Sequence, residues 1–154
     1  MTDHAVAPTH CTCFALRRLT RTVSRLYDLH LAKAGLKTTQ YSLLRSIAYQ
    51  PQPMSILAAR LCTERTTLTR TLKPLLEAGH VKLTSGADAR QRIVTITDRG
   101  RAAIETARLA WKGAQAELER TLGVDTVRAL HEQADSALNR LTPLLEGLPH
   151  AHDD

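Results

Sequence analysis

Aromatic side chains are scarce in this 154-residue chain, which has one Phe, one Trp and three Tyr, so its core must be aliphatic. Long apolar runs are missing as well. No stretch approaches the roughly 20 residues needed to cross a bilayer, and the opening "MTDHAVAPTHCTC" has neither the charged nor the apolar region of a signal peptide. These absences predict a cytoplasmic protein with no membrane partner. Cysteine is limited to three residues, an odd number that argues against a structural disulfide framework in that compartment. No phosphate-binding glycine loop, paired-glycine dinucleotide turn, His-Glu-x-x-His helix or nucleophile elbow occurs. The chain is therefore not expected to be an enzyme.

The length suits one domain with a sizeable core. Its formal net charge of +6 is unevenly spread. Lys and Arg outnumber Asp and Glu by 7 to 2 over residues 1–59 and by 9 to 4 over residues 60–101, whereas residues 102–154 hold 5 against 9. A basic excess confined to the first two-thirds favours a polyanionic partner on one side of the molecule.

Leu16, Leu19, Val23, Leu26 and Tyr27, followed by His30, recur at helical spacing and predict a first helix from Thr12 to Ala34, ended by Gly35. A second is expected over about Thr39–Tyr49 and stops before "QPQP", whose Pro51 and Pro53 cannot continue it. "MSILAARLC" reads as a short third helix with Ser55 as N-cap, and "TERTTLTRTLKPLLEAG" as a fourth, closed by Gly79. The texture then changes. "VKLT" and "IVTIT" are β-branched segments flanking "SGADARQR", which predicts a hairpin. Helical spacing returns from Asp98 through Trp111 to Leu122, breaks at Gly123, and resumes from Val127 to Leu145.

This order is that of a winged helix-turn-helix with extra terminal helices. The predicted fold class is mainly α with a small β-hairpin wing, a winged helix-turn-helix lobe plus a helical dimerisation region. Within one domain over residues 1–154, about 54–98 form the DNA-binding lobe and 98–122 a linking helix. Residues 12–49 and 124–146 carry apolar stripes too extensive for that small lobe, and are assigned mainly to dimerisation.

The fourth helix sets Leu68, Leu72, Leu75 and Leu76 on one face and Thr66, Arg70 and Lys73 opposite, at i, i+4 and i+7, with Thr69 on the flank. A merely solvated face is the plain alternative, but Glu, Lys and Gln build one without the rotamer cost of threonine. Arg pairs bidentately with guanine, and Thr can bond a base edge or offer its methyl group to thymine. The hairpin tip presents Arg90 and Arg92 on a thin projection suited to a minor groove, and Asp88 can fix the shape of the loop. An exposed polar turn is the alternative there.

The run "LAARLCTERTTLTRTLKPLLEAGHVKLTSGADARQRIVTITDRGRA" resembles the central pattern of the MarR (multiple antibiotic resistance regulator) family, through "TTLTR", the helix end "EAG", the wing residues Asp88 to Arg90 and "TITDRG". The resemblance covers roughly Leu16 to Leu145. It implies a homodimer of intertwined terminal helices that binds a pseudo-palindromic operator in double-stranded DNA. Thr66, Thr67, Thr69 and Arg70 match the family's recognition helix, and Arg90 its wing arginine. Pro74 departs from the pattern and is expected to kink the helix beyond Lys73.

"HCTC" places His10, Cys11 and Cys13 together at the start of the first helix, a soft donor set for a thiophilic metal or metalloid, or a target for an oxidant. A disulfide between residues two apart is strained, so a metal or an intersubunit bond suits them better. The alternative is that Cys11 and Cys13 only pack or fray and that Cys62 is a buried small hydrophobe. The resemblance also implies a small aromatic or phenolic effector, for which Tyr27, His30, Arg45 and Trp111 are candidate liners, each also explicable as core or surface. Arg17, Arg18, Arg21 and Arg25 form a basic ridge on the first helix, expected to pair with the acidic C-terminal third or to stay solvated. The sequence thus predicts a dimeric transcriptional regulator, a repressor released by a small ligand or by thiol or metal chemistry. Its rivals are a winged-helix protein-interaction module and a thiol-dependent redox enzyme.

Overall fold

The computed structural model describes residues 11–88 and 90–146. Its first compact unit ends at Ala114 and its second begins at Gln115. In the first, helix α1 spans Thr12–Leu31 and tightens into a 3₁₀ turn over Ala32–Ala34, closed by Gly35 at φ 70°. Helix α2, Thr38–Ser46, is tied to α1 by Asp28, whose carboxylate accepts both the backbone N–H and the hydroxyl of Thr38 at 2.7 Å. It ends three residues earlier than its periodicity suggests. Ile47 is fully buried, and the Arg101 guanidinium takes the carbonyl of Ala48, so the chain turns there instead of completing another helical turn.

The turn delivers "QPQP" to a place that a helix-breaker reading does not foresee. Gln52–Pro53 form a two-residue strand, β1, paired with Val94 and Ile93 of β3. Its edge position tolerates a residue that cannot donate to the ladder. The wing sheet is therefore three-stranded, in the order β1-β3-β2. Helix α3 spans Met54–Arg60 with Pro53 as N-cap residue, so Ser55 sits inside the first turn and caps nothing.

Cys62 follows in the left-handed region at φ 48°, where glycine is usual, while the N–H of Thr63 bonds back to the carbonyl of Ala58. Cys62 is exposed, which corrects its expected burial. Helix α4, Arg65–Glu77, runs unbroken through Pro74 and buries Leu68, Leu72 and Leu75. Strands β2, Val81–Ser85, and β3, Arg92–Ile96, pair antiparallel, with Leu83 opposite Val94 and Ser85 opposite Arg92.

Helix α5, Asp98–Leu122, starts from a polar knot. The Thr97 hydroxyl donates to the carbonyl of Gly79 at 2.6 Å and accepts the N–H of Gly100 at 3.1 Å, while the Thr97 N–H bonds the carbonyl of His80. In the second unit, Gly123 at φ 89° separates the end of α5 from α6, Val124–Glu146, in which only Val127 is buried.

A Cβ on Gly100 would overlap the carbonyl oxygen of His80 and press on Ile96. Ala in place of Gly inside an open helix gains about 1 kcal/mol, but here Gly100→Ala is expected to destabilise by about 1–3 kcal/mol through overpacking. A urea midpoint that stays level or rises for this variant would show that the α5–β2 junction can yield.

Candidate nucleic-acid interface

Burial of its leucines turns Thr66, Thr67, Thr69, Arg70 and Lys73 of α4 outward, and all five are exposed. Their hydroxyls are not equivalent. Thr69 donates to the carbonyl of Arg65 at 2.9 Å, and Thr71 to that of Thr67 at 3.1 Å, which leaves these two with lone pairs and methyl groups to offer. Thr66 and Thr67 make no side-chain hydrogen bond among the described residues, so they retain a donor as well. Pro74 has no N–H, and the carbonyl of Arg70 consequently lacks its usual helical donor. Lys73 nevertheless stays on the same continuous helix as Arg70.

The wing tip is held by its own bonds. The Asp88 carboxylate accepts the N–H of Arg90 at 3.0 Å, its carbonyl accepts the N–H of Gln91 at 2.9 Å, and Gly86 donates to Gln91 across the loop at 2.8 Å. Asp88 thus has the loop-shaping contact expected of it. Arg90 and Arg92 are exposed, and Arg92 is already the first residue of β3. A cleft of about 220 Å³ between wing and helix is lined by Ser55, Arg65, Asp88, Arg90, Gln91 and Arg92. Sequence reasoning missed Arg65, because it lies one position before the threonine stripe begins.

A larger cleft, of about 480 Å³, lies between α2 and α5 and is lined by Tyr41, Ser42, Arg45, Arg108, Trp111 and Lys112. Tyr41 and Trp111 stack with centroids 6.4 Å apart and planes at 25°. Burial pushes the Tyr41 phenol above its ordinary range, partly offset by the nearby Arg45 charge. Of the four candidate liners, the structure brings Arg45 and Trp111 together here. Tyr27 is instead buried, and His30 packs on α5, its Nδ1 3.1 Å from where a Cβ on Gly113 would stand. Tyr41, Arg108 and Lys112 were missed. Their spacings around Arg45 and Trp111 place them on matching helix faces, but a single sequence does not say that those faces meet.

Cys11 is the N-cap residue of α1 and Cys13 lies in its first turn, both exposed. His10 lies outside the described residues. No group of three His, Cys, Asp or Glu side chains that could hold a metal occurs among the described residues. Arg17, Arg18, Arg21 and Arg25 are exposed on α1, with the guanidinium of Arg18 5.6 Å from the centre of the Phe14 ring.

No family model matches the chain, and no curated protein does. Solved structures do. The M. tuberculosis transcriptional regulator MosR, in complex with DNA, is 39% identical over 85% of this chain and 98% of its own, with a TM-score of 0.73. The chain belongs to the MarR family. E. coli MarR, as a mutant complexed with operator DNA, shares the fold at 24% identity and a TM-score of 0.72, over 82% of this chain and 92% of its own. A MarR-family regulator from Rhodococcus shares it at 20% identity and a TM-score of 0.74, over 86% and 96%. The helices and three-stranded wing described above are thus the MarR-family winged helix. No helix among the described residues is long and apolar enough to cross a membrane.

Because Tyr41 holds its proton more tightly when folded, its contribution to stability is intact below about pH 10 and is lost as pH rises through the folded value. In an ultraviolet titration, the tyrosinate signal removed by Tyr41→Phe is expected to be signal that appears above about pH 10 and shifts down in urea. Removal of signal already present below that pH would mean that the ring is not desolvated.

Proposed function

We propose that this MarR-family chain is a cytoplasmic, sequence-specific DNA-binding transcriptional regulator that acts as a homodimer. In this reading it is a repressor, released from a pseudo-palindromic operator by a small ligand or by thiol or metal chemistry. The observation that carries the reading is the exposed stripe of Thr66, Arg70 and Lys73 on α4, with Arg90 and Arg92 exposed on the adjoining wing. The likeness to a DNA-bound MosR supports it. α4 enters a major groove, where Arg70 and the threonines meet base edges, and the wing arginines enter the flanking minor groove. Assembly as a dimer is supported by exposed apolar side chains at Phe14, Leu16 and Leu19 of α1 and at Leu130, Leu138, Leu141 and Leu145 of α6.

Two triggers are open to this arrangement. A ligand in the Tyr41–Trp111 cleft would press on α2, which carries Tyr41, Ser42 and Arg45 toward the cleft and packs against α4 on its other side. Reaction at Cys11 and Cys13 would re-pack the start of α1, part of the proposed dimer contact. Both act by changing the spacing of the two recognition helices. A role limited to protein interaction leaves the wing arginines without a purpose, and a thiol enzyme lacks a positioned base.

Operator selected from a random duplex pool tests the reading. The parent is expected to protect two half-sites about one helical turn apart, and Arg70→Ala to lose about 1–3 kcal/mol of discrimination at defined base pairs. A uniform loss over all sequences would make Arg70 a phosphate contact, and protection of a single half-site would remove the dimer. For the trigger, Cys11→Ser with Cys13→Ser is expected to bind operator normally but to ignore the thiophilic metal or oxidant that releases the parent. Identical responses would leave the Tyr41–Trp111 cleft as the effector site.

A further inference from the structure

Arg65 opens α4, is exposed, and faces the cleft beneath the wing together with Arg90 and Arg92. Three guanidinium groups thus share about 220 Å³ with one carboxylate, that of Asp88, and one oxygen of that carboxylate is already engaged by the N–H of Arg90. None of the three forms an ion pair among the described residues. Like charges brought this close repel one another, and the cost falls only when an anion sits among them. Ser55, from the first turn of α3, adds a hydroxyl donor to the same wall.

The position of the cleft says which anion. Its walls are the start of the proposed recognition helix and the wing. If α4 lies in a major groove while the wing reaches into the neighbouring minor groove, what separates those grooves is one sugar–phosphate strand. The cleft must straddle that strand. We propose that Arg65, with Ser55 and the flank of the wing, seats one DNA backbone phosphate and so fixes the register in which α4 and the wing engage the duplex; the inference rests on the DNA-binding reading above. A guanidinium offers paired donors that match two phosphate oxygens. Phosphate contacts position a protein and carry no base information of their own. Arg65 is therefore a positioning residue, distinct in role from the base-reading Arg70 five residues further along.

The test is a set of anisotropy titrations of the full chain against selected operator and scrambled duplex, giving the slope of log affinity against log salt for the parent, Arg65→Ala, Arg65→Lys and Arg70→Ala. Losing one phosphate contact flattens the slope by about 0.9, so for Arg65→Ala the affinity lost between about 50 and 200 mM salt should shrink about threefold. Its affinity for operator and scrambled duplex should fall by the same factor, with base preference unchanged, and Arg65→Lys should recover most of the slope. A scan of neutral methylphosphonate substitutions should find one operator position at which parent and Arg65→Ala bind alike. A parent with no salt-dependent DNA binding overturns both the DNA-binding reading and this seat. A steep parent slope that Arg65→Ala leaves unchanged, or an Arg65→Ala that shifts base preference at constant slope, overturns the seat alone.

Discussion

Leu68, Leu72 and Leu75 are each only 1% exposed, and their burial determines what the rest of α4 can present. Sealing a leucine contributes about 1.5–3 kcal/mol, so three of them supply roughly 5–9 kcal/mol, a sum comparable with the whole net stability of a domain this size. Rotating α4 by one residue position would bring some of these side chains into water and drive Thr66, Arg70 or Lys73 toward Leu43, Leu44 and Ile47, all fully buried. The outward stripe is therefore set by the core beneath it. Chemistry on that face can vary without disturbing the helix, because the leucines alone hold its angle.

The wing is fixed by a different kind of constraint, a short polar circuit. Thr97 joins the end of α4 at Gly79, the start of β2 at His80 and the start of α5 at Gly100 through three hydrogen bonds. Each bond also satisfies a backbone group left over where an element begins or ends. Because β2 leaves this circuit directly, the hairpin that carries Arg90 and Arg92 projects at an angle set relative to α4. The cleft containing Arg65 follows from that angle.

Helical periods located α1, α3, α4, α5 and α6 to within a few residues, and the strand texture located β2 and β3, because each of those elements buries a face of its own. The outward stripe of α4 could be read for the same reason. Features decided by distant partners could not. Gln52–Pro53 becomes a strand only because β3 offers an edge, and the end of α2 is set by Arg101, 53 residues away from the carbonyl it binds. Cys62 has the composition of a core residue, but the turn puts it at positive φ and points it to solvent. The Tyr41–Trp111 cleft needs α2 and α5 to be neighbours, a tertiary fact that no period encodes.

Helix α6 carries the balance of the energetics beyond the single chain. It is 23 residues long, yet Val127 is its only buried side chain, while Leu138, Leu141, Leu144 and Leu145 stand about half exposed or more. Isolated helices draw little net stability from hydrogen bonding, and in proteins most helical stability comes from packing an apolar face. Pro143 inside the helix makes its last turns weaker still. Such a segment is stable where a second surface covers those leucines. In the proposed homodimer that surface comes from another copy, so folding of the C-terminal unit and assembly are one equilibrium and both depend on protomer concentration. A signal that loosens the interface then lowers operator affinity without touching α4, since two half-sites are read together only while the pair holds its spacing.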